Sequence, residues 1–202
     1  MLDRPIYPPI ALVLALSAVP AGGAPQAPAP TVAAPLPTAT AGPAVQGAYG
    51  DWSLYEFQEN GNRVCYLASR IMKSSESVPG RVPSFVLITN RPAESKRHVV
   101  SVVAGYPYVE GSPVTVAIGR KQFHLFTDND TAWAEDTVDP LIVQAIHGGT
   151  GLSVSGHMKD GPTIVDNFSL KGAGEALNAL DQACPMPGKP AKLAHKKRKA
   201  AS

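Results

Sequence analysis

The stretch VTVAIGRKQFHLFT, residues 114 to 127, decides the fold. Val114, Val116 and Ile118 alternate with Thr115 and Ala117, the dipeptide Gly119-Arg120 interrupts, and a second run from Gln122 to Thr127 follows. A period of two is strand patterning, because successive side chains leave a strand on opposite faces. Gly119 tolerates the positive φ that a tight hairpin needs, so the two runs pair as antiparallel neighbours.

The same period recurs on both sides of this hairpin, over residues 52–57, 64–72, 85–90, 99–104, 152–158 and 163–170. Asn60-Gly61 and Asp160-Gly161 supply further turns, the second joining 152–158 to 163–170 as another hairpin. About eight strands with short connections predict a mainly β domain, an antiparallel β-sandwich or barrel. Two short helices break the pattern. In the first, Asp139 caps, Pro140 takes the first helical position and Gly148 closes the end. The second covers 174–184, with Ala176, Leu177, Ala179, Leu180 and Ala183 as its apolar stripe, and it ends the domain at Cys184.

The chain ends have a different character. Arg4, the apolar run from Ile10 to Val19 and the small residues at 21–24 follow the order of a secretory signal peptide over 1–24, with cleavage near 21–24. Ten apolar residues fall short of a bilayer-spanning helix, so the mature protein is expected to be exported and not integral to the membrane. Residues 25–46 are almost entirely Ala, Pro, Gly and Thr and read as a disordered linker. Residues 185–202 read as a disordered basic tail, leaving 47–184 as the β domain. The domain carries 11 basic against 15 acidic side chains, a net of −4, while the tail carries six basic ones and no acid. Lys196, Lys197, Arg198 and Lys199 suit attachment to anionic lipid or lipopolysaccharide; an exported chain is not expected to meet nucleic acid. Cys65 and Cys184, the two cysteines, suggest a structural disulfide, which closes a separation of 119 residues and stabilises by up to about 5 kcal/mol.

Three features invite a chemical reading. FTDNDTAWAEDTVD, residues 126–139, holds five carboxylates, and Asp128-x-Asp130 could open a cation loop or pair two catalytic acids. Counted from Asp128, however, an EF-hand loop would need an oxygen ligand at Ala132 and glycine at Trp133. A polar turn and a helix start explain the acids without chemistry. His147-Gly-Gly-Thr-Gly with Ser153 has the composition of an oxyanion loop and nucleophile, but Ser153 opens a strand and lacks the Gly-x-Ser-x-Gly elbow. His98, His124, His147 and His157 form no metal-binding spacing. No catalytic residue, cofactor or metal ligand is assigned, with Asp128 and Asp130 kept as weak metal candidates.

Tyr49-Gly-Asp-Trp52, Val64-Cys-Tyr-Leu-Ala-Ser69, Arg91-Pro-Ala-Glu94, the segment from Val99 to Pro107, Phe126-Thr127 with Asp130-Thr-Ala-Trp133, and Ser169-Leu-Lys-Gly172 before the last helix resemble the invasion-associated locus B family of exported bacterial proteins. The resemblance runs through residues 49–184 in order and implies a periplasmic or surface-associated β-rich domain. It implies no catalytic residues, and it links some members to entry into host cells. The expected function is a non-enzymatic binding or envelope-interaction module. It meets an unknown protein or envelope component through exposed aromatics, Tyr106, Tyr108 and Trp133. The alternative is an exported hydrolase or cation-dependent enzyme built on the Asp128/Asp130 loop.

Overall fold

A computed structural model describes residues 42–187. Ten strands are present: β1 (Ala44–Tyr49), β2 (Trp52–Glu59), β3 (Asn62–Ser74), β4 (Phe85–Arg91), β5 (Lys96–Val103), β6 (Val114–Ile118), β7 (Lys121–Asp128), β8 (Thr131–Trp133), β9 (Gly151–His157) and β10 (Thr163–Ser169). Two helices join them, α1 (Asp139–Gly148) and α2 (Ala173–Ala183). All pairings are antiparallel, and the order β3-β10-β9-β6-β7-β8-β5-β4 returns to β3, closing an eight-stranded barrel. The hairpin expected over 114–127 is β6–β7, in register from Val114↔Leu125 to Ile118↔Lys121. The second expected hairpin is β9–β10.

Two strands extend the expected set. β1 begins at Ala44, inside the stretch read as linker, and pairs with the outer edge of β2 despite its small side chains. β8 occupies only Thr131–Trp133, within a segment read as turn and loop. Three residues are enough there because they bond to β5 on one side and β7 on the other.

The barrel closes through β3, whose 13 residues exchange partners partway along. From Asn62 to Ser69 it bonds β2 on one edge, from Cys65 to Arg70 it bonds β4 on the other, and from Ile71 to Ser74 it bonds β10. The exchange leaves the ends of β2 and β10 abutting. The carbonyl of Ser169 fills the junction by accepting from Trp52 Nε1 at 3.2 Å and Ser69 Oγ at 3.4 Å. Beside it Asp51 N donates to Lys171 O at 3.0 Å. Gly50 and Gly172 lie back to back at positive φ, +60° and +83°; a Cβ on Gly172 would meet Tyr49 O at 2.2 Å. The blocks Tyr49-Gly-Asp-Trp52 and Ser169-Leu-Lys-Gly172 are therefore the two halves of one seam.

The helices are tied to the barrel by apolar stripes and polar clips. Ala173, Ala176, Leu177 and Leu180 of α2 are buried, and the helix packs on β1, β2, β3 and α1. At its end Cys184 is bonded to Cys65 of β3, with Cα atoms 5.9 Å apart. Fully buried Asn90 secures the same corner: its amide donates to Asp181 Oδ1 at 3.1 Å and Cys184 O at 3.3 Å, and its Oδ1 accepts His98 N at 2.8 Å. α1 buries Ile142, Ala145 and Ile146 against the β5 side. Asp139, expected to cap α1, makes no capping bond to that helix. Its carboxylate accepts Val100 N of β5 at 2.8 Å, on the edge of β5 where the β8 ladder ends at Ser101↔Trp133 and only Ala134 N follows, donating to Val100 O.

Two consequences can be measured. Ala at Gly172 combines left-handed strain with a collision against fixed backbone, whereas Gly61 has similar φ (+78°) and open space around it. Gly172→Ala should therefore lose about 2 kcal/mol more than Gly61→Ala in urea unfolding; equal losses would show the seam yields freely. Asp139 is 4% exposed, and burial pushes its carboxyl from 3.8 up to about 6, assisted by Asp136 and opposed by the Val100 N–H and Lys96. Its folded-state proton is held more tightly than in the unfolded chain, so the associated stability is complete below about pH 4 and lost as pH rises through 6. Asp139→Asn should flatten the stability–pH curve in that window by on the order of 2 kcal/mol; an unchanged curve would place the titration elsewhere.

Candidate functional site

The outward face of β2, β3, β4, β5, β8 and β7 is apolar where a soluble strand face is ordinarily polar. In register, Ser53, Ala68, Leu87, Ser101, Trp133 and Phe126 form one row across six strands. Tyr55, Tyr66, Thr89 and Val99 form the next, and Phe57 faces Val64 beyond it. Tyr55 and Tyr66 stack with centroids 4.9 Å apart and planes 8° from parallel, and Phe57 meets Tyr66 edge-on at 6.0 Å. Trp133 is 37% exposed and Phe126 53%. An open groove of about 400 Å³ runs over this face between Tyr55, Phe57, Tyr66, Leu87, Arg91 and Trp133. Arg91 is ion-paired to Glu59, and to Glu94 at 3.2 Å. Burial, then the neighbouring Tyr55, holds the Tyr66 phenol above its usual range.

Each element shows why this face carries rings. In Trp52-Ser-Leu-Tyr-Glu-Phe57 the inward phase is Trp52 and Leu54, and the outward phase holds Tyr55 and Phe57. In β3, Cys65, Leu67 and Ser69 point to the core while Val64, Tyr66 and Ala68 point out. Residues apolar on both phases are the signal that sequence reading passed over: one phase fills the barrel, and the other needs a second explanation.

Of the three aromatics expected to be exposed, Trp133 belongs to this face. Tyr106 and Tyr108 do not; they are 6% and 3% exposed and belong to the core. The reason lies in the loop before β4. Val82 N bonds Gly105 O at 3.3 Å, and Gly105, at φ +79°, lets that loop approach so closely that a Cβ would sit 2.1 Å from Val82 O. Arg81 then lies over the Tyr106 ring at 4.9 Å, and Tyr106 meets Tyr108 edge-on at 5.4 Å. The Arg81 guanidinium binds both oxygens of Asp166 and donates through Nε to Ala104 O at 2.7 Å. Tyr108 N donates to Asn129 O at 2.8 Å, and its ring fills the space a side chain at Gly156 would need. Burial raises the Tyr106 phenol to about 12 and lifts that of Tyr108 further.

The remaining candidates stay apart. Asp128 and Asp130 flank Asn129 on the β7–β8 turn, with Asn129 at φ +54° and Asp130 Oδ1 accepting Thr131 Oγ1 at 3.1 Å. His124 pairs with Thr115 and His157 with Thr163 on exposed strand surface. His98 lies in the Asp181 clip, its Nε2 2.8 Å from Asp181 Oδ1. Burial lowers its pKa against the pull of Asp181. Ser153 is an interior residue of β9. Among the described residues no three His, Cys, Asp or Glu side chains come together as a metal ion requires. No described helix is long and apolar enough to cross a membrane. Lys196, Lys197, Arg198 and Lys199 lie outside the described residues.

Comparison with known proteins agrees with this architecture. The chain is similar in fold to the crystal structure of invasion associated protein b from Bartonella henselae, at 17% identity and a TM-score of 0.51 over 68% of this chain and 95% of that one. No curated protein matches the chain. A family model described as Invasion associated locus B (IalB) protein matches residues 52–181, which contain the Arg81 clip and the aromatic face. With most of its length covered by that match, the chain belongs to the invasion associated locus B family.

Proposed function

We propose that this protein is an exported, non-enzymatic binding module of the bacterial envelope or surface, and that its binding surface is the aromatic face around Tyr55, Tyr66 and Trp133. The observation that carries this reading is the continuity of the face: six strands in register carry apolar or small side chains on their outward side, with the stacked Tyr55 and Tyr66 rings at one end and exposed Trp133 and Phe126 at the other. Exposed apolar patches of this kind are costly to solubility and mark interaction sites. Aromatic side chains also give large contact area at low entropic cost, since few torsions are fixed on binding.

The leader-like sequence at 1–24 supports export, and the family name associates related proteins with invasion. The same face would serve an envelope partner or a host partner. The basic tail adds attachment to anionic lipid or lipopolysaccharide head groups, with six Lys and Arg residues each contributing roughly 1 kcal/mol near such a surface.

Retention experiments separate these roles. Immobilised protein carrying Tyr66→Ser, Leu87→Ser and Trp133→Ser should retain its partner from envelope or host-membrane extract at least tenfold less well than the parent. Trp133→Ser alone, at a partly exposed site, should show a smaller loss with an unchanged melting temperature. Equal retention by parent and triple variant would remove the face from the function. Deleting residues 187–202 should weaken binding to vesicles rich in anionic lipid and flatten its dependence on salt; unaltered vesicle binding assigns attachment to the β domain instead.

A further inference from the structure

The chemistry of the face narrows what can occupy it, and the inference rests on the binding role proposed above. The row from Ser53 to Phe126 crosses six strands, about 24 Å at the usual strand spacing, and the outward residues from Ser53 to Phe57 cover about 13 Å along the strands. That is roughly 300 Å², well below the ~800 Å² per partner that a stable protein–protein interface buries. A second globular copy laid on this face would gain too little contact, whereas a slender chain would be covered along its length.

The strand pairing excludes one kind of slender chain. Here β2 is bonded by β1 and β3, β3 by β2 and β4, β5 by β4 and β8, and β8 by β5 and β7. No strand of the face itself offers a free edge to an incoming strand, the unpaired outer edge of β1 lying beyond β2, and a β-strand lying across the face would leave its own backbone groups unpaired. A polyproline II chain has no such requirement, because its backbone makes no internal or ladder bonds and proline contributes no N–H. It needs ring surfaces to pack against and donors directed at its carbonyls. The face provides both: Tyr55 stacked on Tyr66, with Trp133 along the same groove, and among the described residues neither phenol nor the Trp133 indole N–H makes a hydrogen bond. Charge agrees as well. Arg91, the charged residue of the groove lining, is already engaged by Glu59 and Glu94, which favours an uncharged ligand.

We infer that the groove over Tyr55, Tyr66, Leu87 and Trp133 binds an uncharged, proline-rich segment of a partner protein in the polyproline II conformation. At 3.1 Å per residue, six to eight residues span it, roughly the width of the face.

The test is a titration of the full chain with the peptide (Ala-Pro)5 and with (Ala-Ser)5, a flexible and equally uncharged control. Binding is followed at the indole N–H resonance of Trp133, told apart from that of buried Trp52 by a Trp133→Phe spectrum. The proline peptide should shift the Trp133 signal saturably and the serine peptide should bind at least tenfold more weakly. Tyr66→Ser should weaken proline-peptide binding at least tenfold and Tyr66→Phe only a few-fold, since the ring is kept and the donor lost. No saturable shift at Trp133, equal binding of both peptides, or a response confined to Trp52 overturns the inference. If the peptides fail while the triple variant still loses its extract partner, the occupant is wrong and the binding role stands. If the triple variant keeps that partner, the binding role itself falls.

Discussion

Bonding along both edges of β3 is the constraint on which the rest of the structure depends. A barrel must return to its first strand, and here the return is made on a strand whose other edge is already shared between two partners. Such a strand cannot slip by one residue without turning Cys65, Leu67 and Ser69 outward and Tyr66 into the core. The disulfide at Cys65 and the seam at Ser69 fix that register at two points, one covalently and one through the Ser169 carbonyl. The partner exchange at Arg70 and Ile71 also explains why two distant sequence blocks, one ahead of β2 and one after β10, meet back to back through glycines.

Much of this was legible in the sequence, and the misses have physical causes. Eight of the ten strands and both helices follow from periodicity and turn residues. The disulfide follows from an even cysteine count in a chain whose sequence reads as exported. β1 was not legible, because Ala44-Val-Gln-Gly-Ala-Tyr49 has little strand character of its own and owes its conformation to the edge of β2. The sequence left sandwich and barrel as alternatives, and the choice of the closed barrel was not legible, since no local signal says that β3 accepts a third partner. At the site, Trp133 could be read and Tyr106 and Tyr108 were misplaced. A Gly-Tyr-Pro-Tyr segment looks like an exposed loop until Arg81, more than twenty residues earlier, is seen to fold over it.

The buried polar groups have a common purpose. Arg81 with Asp166 fastens the β3–β4 loop, Asp139 with Val100 fastens α1, and Asn90 with Asp181 and the Cys184 carbonyl fastens α2. In each case a polar side chain satisfies backbone or charge that would otherwise be stranded at the rim of the barrel, where ladder bonds run out. Among the described residues no buried side-chain nitrogen or oxygen lacks a partner. The same clips occupy the barrel ends with side chains, including the rings of Tyr106 and Tyr108, so the interior is a packed core.

That packing shifts attention from the inside of the barrel to its wall. In a barrel with an open interior, outward apolar residues could be incidental to a ligand held within; here the core already contains Leu67, Val86, Ile88, Val100 and Phe168. The outward rings sit on β2, β3 and β8, strands bonded on both edges, and β3 is additionally tied by the disulfide. Rings held on such a wall lose little further freedom when a ligand arrives, which lowers the entropic cost of binding. A rigid, aromatic and nearly charge-neutral wall suits a ligand that is itself stiff and uncharged, because neither partner then has much order left to gain.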